Sequence, residues 1–379
     1  MNLSFDIENK ELFAPIYQKE KSKIEVIKKH YSNNTLKFSN KSNKYFYIQN
    51  RRYLGNKFKL LGFIEEIIRE NCSTISSFCD IFSGTGVVGN FFNNENIKII
   101  SNDFMHSNYM CLNTFLKANE NQVNHVTDKI KYLNNLNSKD DNYFSINFGG
   151  NYFSEANAKK IGVIREQIEL ISDNIMEKYI LICSLLYSVD KVANTVGHYD
   201  AFRKKFDSFQ NVKLLIPKAN FKANKLNEVH NNDANELVRN IKCDVLYIDP
   251  PYNSRQYSGA YHLLENLATW NKPEVKGIAK KMNRNHLKSA YCLSNATNVF
   301  SDLIQNANCK HILLSYNNTG KSKNERSNAR IKDKDIIKIL KQKGEVKIYQ
   351  CEYKSFTTGK STSIGNIERI FYCKVKEKL

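Results

Sequence analysis

Residues 245–252 read VLYIDPPY, and this stretch limits the fold more than any other in the chain. Four apolar residues of strand character run into an acid, two prolines and an aromatic ring. Proline fixes φ and carries no backbone N–H, so Pro250 and Pro251 cannot extend a central strand. The strand ends at Asp249, which then stands at the carboxyl edge of a sheet, where open α/β folds bind ligands. The two prolines leave carbonyls facing the crevice without competing donors. The corner is thus a rigid set of acceptors, a carboxylate and a proline carbonyl, beside the face of Tyr252. A planar base with an exocyclic amino group fits this set: the amino group donates two hydrogen bonds and the ring stacks on Tyr252. Asp-Pro also opens ordinary turns, so the string gains its weight from what surrounds it.

A second strand-to-turn unit lies upstream. ISSFCDIF (75–82) predicts a strand, and SGTGVVG (83–89) a glycine turn leading into a helix. Gly84 and Gly86 allow positive φ and close approach of a ligand to the backbone. The next strand, NIKIISND (96–103), ends in Asp103, about 20 residues after the turn, which is the nucleoside-binding rhythm. A carboxylate there suits ribose hydroxyls. Asp80 sits four residues before the first glycine. It would repel a pyrophosphate but accept hydrogen bonds from an ammonium group. Ribose plus ammonium describes S-adenosylmethionine (AdoMet) better than NAD or ATP.

Further strand-like runs are CDVLYID (243–249), CKHILLSY (309–316), EVKIYQCEY (345–353) and NIERIFYCKV (366–375). Residues 55–70 carry apolar side chains at helical spacing, and a helix is also expected through HSNYMCLNTFLKAN. KEKSKIEVIKKH (19–30) predicts a short helix. Residues 121–228 are helical by pattern, with AKKIGVIREQIELI and MEKYILICSLLYSVDKVA the clearest cases. Strands alternating with helices predict an open, mainly parallel, Rossmann-like sheet with a helical insert between its halves.

The chain has 379 residues, 57 Lys+Arg against 38 Asp+Glu, and a formal net charge of +19. Such an excess favours a polyanionic partner; the plainer alternative is a solvated surface in a Lys- and Asn-rich proteome. No apolar run approaches the roughly 20 residues that cross a bilayer, and MNLSFDIENKELF lacks the pattern of a secretory signal, so no membrane partner is expected. The nine cysteines form no CxxC pair and no Cys/His group at zinc spacing. Reduced thiols, a cytoplasmic location and no metal are the expectation.

Taken together, these motifs resemble the alpha group of amino-methylating DNA methyltransferases, the Dam-type adenine methylases of restriction–modification systems. RRYLGNKFKLLGFI (51–64) is similar to that group's N-terminal AdoMet motif, placing Tyr53, Gly55 and Lys57 at the cofactor. FCDIFSGTGVVG matches its glycine motif, Asp103 its ribose acid, and NNDANELV (231–238) the segment whose acid, Asp233, lies near the adenine of AdoMet. DPPY matches the catalytic motif, implying roles for Asp249, Pro250, Pro251 and Tyr252. HILLSYNN resembles the strand that shapes the target-base pocket. The resemblance implies an N-terminal extension (1–46), an AdoMet-binding part (47–120), a helical target-recognition domain (121–228) and a catalytic part (229–379). It implies double-stranded DNA as substrate and a cognate restriction endonuclease as partner; the motifs do not spell the recognition site, for which a short palindrome such as CATG is a guess. Two departures stand out: residues 1–46 have no counterpart, and NSRQYSGAYHLLENLATW (253–270) is closer to methylases paired with restriction enzymes than to the shortest Dam enzymes.

Candidate DNA contacts are His198, Tyr199, Arg203 and Lys204 in VANTVGHYDAFRKKF, Arg255 and Tyr257 after the corner, and Lys280, Lys281 and Arg284 in the basic stretch 270–288. Each has a plainer reading as solvated surface or, for 270–288, as a loop. His262 and Glu265 read as structural. Rival functions are methylation of RNA adenine or protein glutamine, N4-cytosine methylation, and a DNA-binding regulator without catalysis.

Overall fold

The computed structural model describes residues 25–29, 44–206, 210–317, 329–352 and 367–376. Its strands are β1 (Glu25–Lys29), β2 (Tyr45–Phe46), β3 (Ser77–Asp80), β4 (Lys98–Asn102), β5 (Ile216–Pro217), β6 (Glu228–His230), β7 (Cys243–Ile248), β8 (Cys309–Ser315), β9 (Gly344–Glu352) and β10 (Ile367–Val375). β2 and β5 form a small ladder, and the other eight form one sheet in the order β1-β9-β10-β8-β7-β3-β4-β6. Neighbours are parallel except for β10, which runs antiparallel to both β8 and β9. From β3 the chain builds outward through β4 to β6. It then returns to the other side of β3 with β7 and β8. The order reverses between β3 and β7, so a ligand crevice opens beyond their carboxyl ends.

β7 is buried at all six positions, as a strand covered on both faces requires. Its alternation divides the core: Val245 and Tyr247 face one cluster, Leu246 and Ile248 the other. The second cluster is closed by helices α8 (Ala234–Val238), α11 (Ala296–Asn306) and α12 (Asp333–Lys343). The first is closed by α1 (Leu61–Asn71), α2 (Val87–Phe92), α3 (His106–Leu116) and α10 (His262–Thr269). The expected helical stretch supplies α4 (Glu120–Asn135), α5 (Tyr143–Phe148), α6 (Glu155–Ile171) and α7 (Ile175–Val192). Asn119, Asn142, Ser154 and Asn174 start these four by accepting first-turn N–H groups. Their apolar faces join the first cluster, and α7 lies against α3.

The helix expected over 19–30 is corrected where it is described: Glu25–Lys29 is the edge strand β1, paired in parallel with β9 at Val26↔Ile348. The free edge of β9 offers unpaired N–H and C=O groups, and the β-branched Val26 and Ile27 suit a strand. Most of the N-terminal extension lies outside the described residues.

Two carboxylates fasten distant segments. Near the start of β7, Asp244 accepts Ser76 N at 2.7 Å and Ser77 N at 3.0 Å, with Lys310 Nζ at 2.7 Å. Glu265 accepts His106 N and Ser107 N, both at 2.9 Å, and so caps α3 from α10. No helix among the described residues is long and apolar enough to cross a membrane.

Candidate active site

The crevice is a cleft of about 980 Å³, part of it open to solvent. One wall is the glycine turn after β3. Gly84 and Gly86 have φ of +54° and +80°. A Cβ on Gly86 would lie 2.4 Å from Leu112 Cδ2, so only glycine lets the turn pack on α3. Asp103, just after β4, latches the turn. It accepts Gly84 N at 2.8 Å, Met105 N at 2.8 Å and Asn108 Nδ2 at 3.1 Å. Burial nonetheless pushes its carboxyl up to about 6.

Asp80 ends β3 and is 1% exposed. The Gly89 N–H supports its carboxylate, but Oδ1 is buried and meets no donor. Burial first, and then the nearby Asp249 charge, hold its pKa well above the usual carboxylate range. A buried acceptor with no donor costs stability until a ligand supplies one.

The second wall is the turn from Tyr53 to Lys57. The Tyr53 ring lies beneath Gly84 and stacks on Tyr261, with centroids 4.5 Å apart. Tyr261 Oη accepts Leu54 N at 2.7 Å, and Tyr257 Oη donates to Leu54 O at 3.2 Å. Gly55 takes the φ of +73° that the bend needs. Lys57, expected at the cofactor, reaches further: its Nζ lies 2.8 Å from Asp249 Oδ2 and donates to Gly55 O at 3.1 Å. Burial opposes its charge, but the Asp249 carboxylate outweighs that and keeps it protonated.

The corner itself follows β7. The Asp249 side chain is about 20% exposed. Burial raises its pKa, while Lys57 and the Ser315 hydroxyl pull the other way. Pro251 lines the cleft. The Tyr252 carbonyl accepts Arg330 N at 2.8 Å and Tyr316 Oη at 3.2 Å, which fixes the corner's far end to the strand-end segment after β8. Asp233 also lines the cleft while capping α8 through Asn235 N and Glu236 N.

Several groups went unassigned in the sequence. Glu368 on β10 feels both Lys57 and Asp249, and burial raises its pKa. Gln256 and Ser289 exchange two bonds, Nε2 to O at 3.0 Å and N to Oε1 at 2.8 Å, holding Ser289 and Tyr291 over the cleft. Ser315 lies within the quoted HILLSYNN, whose strand ending was the available signal; Glu368 carries no local signal at all.

The candidate DNA residues separate. Tyr199 is corrected: it is 1% exposed, its Oη donates to Asp190 Oδ1 at 2.7 Å, and it belongs to the core. Tyr257 lines the cleft under Gly55, in the same cleft as Asp249. Asp200 gathers Lys281 at 2.7 Å, Arg255 at 3.7 Å and the His198 ring at 3.8 Å. Arg203 and Lys204 are exposed, Lys280 is half-buried, and Arg284 donates to Met282 O at 2.8 Å. His262 bonds to Tyr199 O at 2.9 Å, and burial pushes its pKa down to about 4, which fits a structural role.

An orphaned acid, a latched glycine turn and an acid-proline-proline-tyrosine corner thus meet at the switch point of a doubly wound sheet. The chain belongs to the D12 class N6 adenine-specific DNA methyltransferase family, whose profile matches residues 53–347. Among curated proteins it is similar to the modification methylase StsI of Streptococcus sanguinis, 35% identical over 351 residues, covering 86% of this chain and 52% of that protein. It is 34% identical over 325 residues to the type II methyltransferase M.NlaIII of Neisseria lactamica, covering 82% of this chain and 93% of that one. With M.FokI of Planomicrobium okeanokoites it shares 31% over 346 residues, 85% of this chain and 52% of that one. The chain therefore spans about half the length of StsI and M.FokI and nearly all of M.NlaIII.

Proposed function

We propose that this chain transfers a methyl group from AdoMet to N6 of an adenine within a specific site of duplex DNA, as the modification enzyme of a type II restriction–modification system. The observation that carries this is one cleft lined by both halves of the reaction, Asp80 and Asp103 with Asp249 and Pro251.

AdoMet, when bound, supplies an electrophilic methyl group on a sulfonium. The residues present fit it. Asp80 Oδ1, buried without a donor, suits the ammonium group, and Asp103 suits the ribose hydroxyls while it holds the turn. Tyr53, Gly55, Gly84, Gly86 and Asp233 shape the remaining wall. At the corner, Asp249 and a proline carbonyl accept the amino protons of the target adenine. This draws N6 towards tetrahedral geometry and localises its lone pair, while Tyr252 stacks on the ring. Lys57 holds Asp249 Oδ2, which fixes the carboxylate beside the base. Prepositioned acceptors of this kind act mainly through orientation and electrostatics.

In this reading residues 121–228 choose the DNA sequence, between an AdoMet-binding part at 47–120 and a catalytic part at 229–379, with 1–46 as an extension. The site is a short palindrome such as CATG, an endonuclease of the same specificity is the partner, and the enzyme works in the cytoplasm. The net charge of +19 supports DNA over a protein substrate. Incubation with labelled AdoMet and duplex DNA, RNA or protein tests the substrate class, and mapping of modified bases in an expressing host gives the site. N6-methyladenine at one short sequence is the expected result. Label entering only RNA or protein, or only cytosine, overturns the reading.

A further inference from the structure

Residues 270–291 form a strap whose root is rigid and whose tip is bare. Among the described residues, the non-glycine residues with positive φ are Trp270, Lys272 and Lys280, and all three lie in this strap. Such backbone is costly and persists where the surroundings enforce it. The surroundings do so here. Trp270 is 8% exposed beneath the Arg165 guanidinium, Tyr143 Oη donates to Pro273 O at 2.6 Å, and Tyr152 Oη shares its hydrogen between Tyr199 O at 2.8 Å and Ala279 O at 3.1 Å. Lys276 and Lys281 close the tip with two backbone bonds of 2.9 and 3.0 Å. The tip reads Lys276-Gly277-Ile278-Ala279-Lys280-Lys281. Ile278 is 86% exposed, the most of the exposed large apolar residues described. The strap then runs on through Leu287, Ser289 and Tyr291 into the wall of the cleft that holds Asp80, and Lys281 is tied by Asp200 to Arg255 beside the corner.

An isolated exposed isoleucine needs no explanation in general. One held out on an enforced turn among three lysines, on the segment that walls the catalytic cleft, does. We propose that Ile278 is a wedge that enters the DNA stack where the target adenine leaves it, with Lys280 on a flanking phosphate. A base reaches the corner only by leaving the duplex, and the gap it leaves is apolar and stacked on both sides. An aliphatic side chain fills that gap, as such side chains do at other unstacked steps. Glu274 lies 3.3 Å from Lys276 Nζ and Asp200 2.7 Å from Lys281 Nζ, which leaves Lys280 for the phosphate.

The inference rests on the methyltransferase reading, and the test separates the two. The full chain and its Ile278→Ala and Ile278→Leu variants are compared in single-turnover methylation on two duplexes carrying the mapped site. In one the target adenine is paired, and in the other it faces an abasic nucleotide. Ile278→Ala should lose roughly tenfold or more in rate on the paired duplex and under about threefold on the abasic one, where little remains to unstack. Ile278→Leu should stay near wild type on both. With 2-aminopurine at the target position, the fluorescence rise on binding should shrink in Ile278→Ala while affinity is kept. Equal losses on both duplexes, or no loss on either, overturn the wedge with the methyltransferase reading intact. Absence of methylation by the wild-type chain on both overturns that reading and the wedge with it.

Discussion

Asp244 and Asp249 lie five positions apart, near the start and just past the end of one buried strand, and they have opposite fates. Asp244 faces Lys310 and the amides of Ser76 and Ser77, and although burial works against its charge these partners hold it far below the usual carboxylate range. Asp249 has one cation and one hydroxyl as partners, and burial leaves its pKa raised. A saturated carboxylate at the amino end of the sheet binds segments together. An undersatisfied one at the carboxyl end keeps capacity for a ligand. On this strand, hydrogen-bond satisfaction separates the structural acid from the working one.

The contrast breaks most visibly at Asp249. Asp249→Ala should abolish nearly all methyl transfer in single-turnover assays while AdoMet and DNA binding persist. Tyr252→Phe should keep substantial activity where Tyr252→Ala loses most of it, since a phenyl face still stacks. A near-normal rate for Asp249→Ala would remove the corner from the chemistry. At the other end of the strand, Asp244→Ala should leave the rate constant of folded protein unchanged. It should cost about 2–3 kcal/mol in denaturant unfolding, because two amides and an ammonium lose a charged acceptor. A rate defect without a stability defect there would reverse the assignment.

Asp80→Asn sharpens the comparison at the carboxyl end. Calorimetry should give AdoMet binding weaker by roughly tenfold to a hundredfold, from the loss of a charge-assisted bond. The mutant fold should be no less stable near neutral pH, because a buried, unpaired charge has been removed. Asp103 is intermediate, well supplied with donors yet raised to about 6. Its raised pKa adds stability only where it is protonated: the contribution is complete below the ordinary carboxylate value and is lost as pH rises through about 6. Binding runs the opposite way. AdoMet affinity should fall as pH drops through about 6, and Asp103→Asn should flatten that titration. The smallest effect is ionic. Neutralising Lys280, Lys281 and Arg284 should reduce the slope of log DNA affinity against log salt by about one unit per lost phosphate contact, while neutralising Lys310 beside Asp244 should leave it unchanged.

The sheet was legible where local pattern dictates it. The strands ending at Asp80, Asn102, Ile248 and Ser315 fall within a residue or two of their predicted ends, since apolar runs closed by acid, glycine or proline have few alternatives. The motifs also brought Asp80, Asp103, Asp233 and Asp249 to one cleft. Edge strand β1 was not legible, because a short charged run takes the conformation of whatever edge it meets. Nor were the cross-chain partnerships: Lys57 with Asp249, Glu265 with α3, Tyr261 with Leu54, and Glu368 beside the corner. Each joins segments many residues apart and leaves no periodicity behind. Tyr199 failed as a DNA contact because its basic neighbours made a core tyrosine look like surface.

The pairing of β3 with β7 has a consequence for how the molecule comes into being. β3 meets β4 almost at once during synthesis, but its other edge waits for residues 167 positions further along the chain, as in the pair Phe78↔Val245. Until those residues leave the ribosome, the nascent chain presents a bare, apolar strand edge, and closing so long a loop carries an entropic cost. Assembly of the cleft is therefore a late, non-local event, slow by the standards of helical proteins and exposed to aggregation while it waits. Faster translation between the two strands, or a chaperone bound to the half-made sheet, shortens or shields that wait and should raise the yield of active protein.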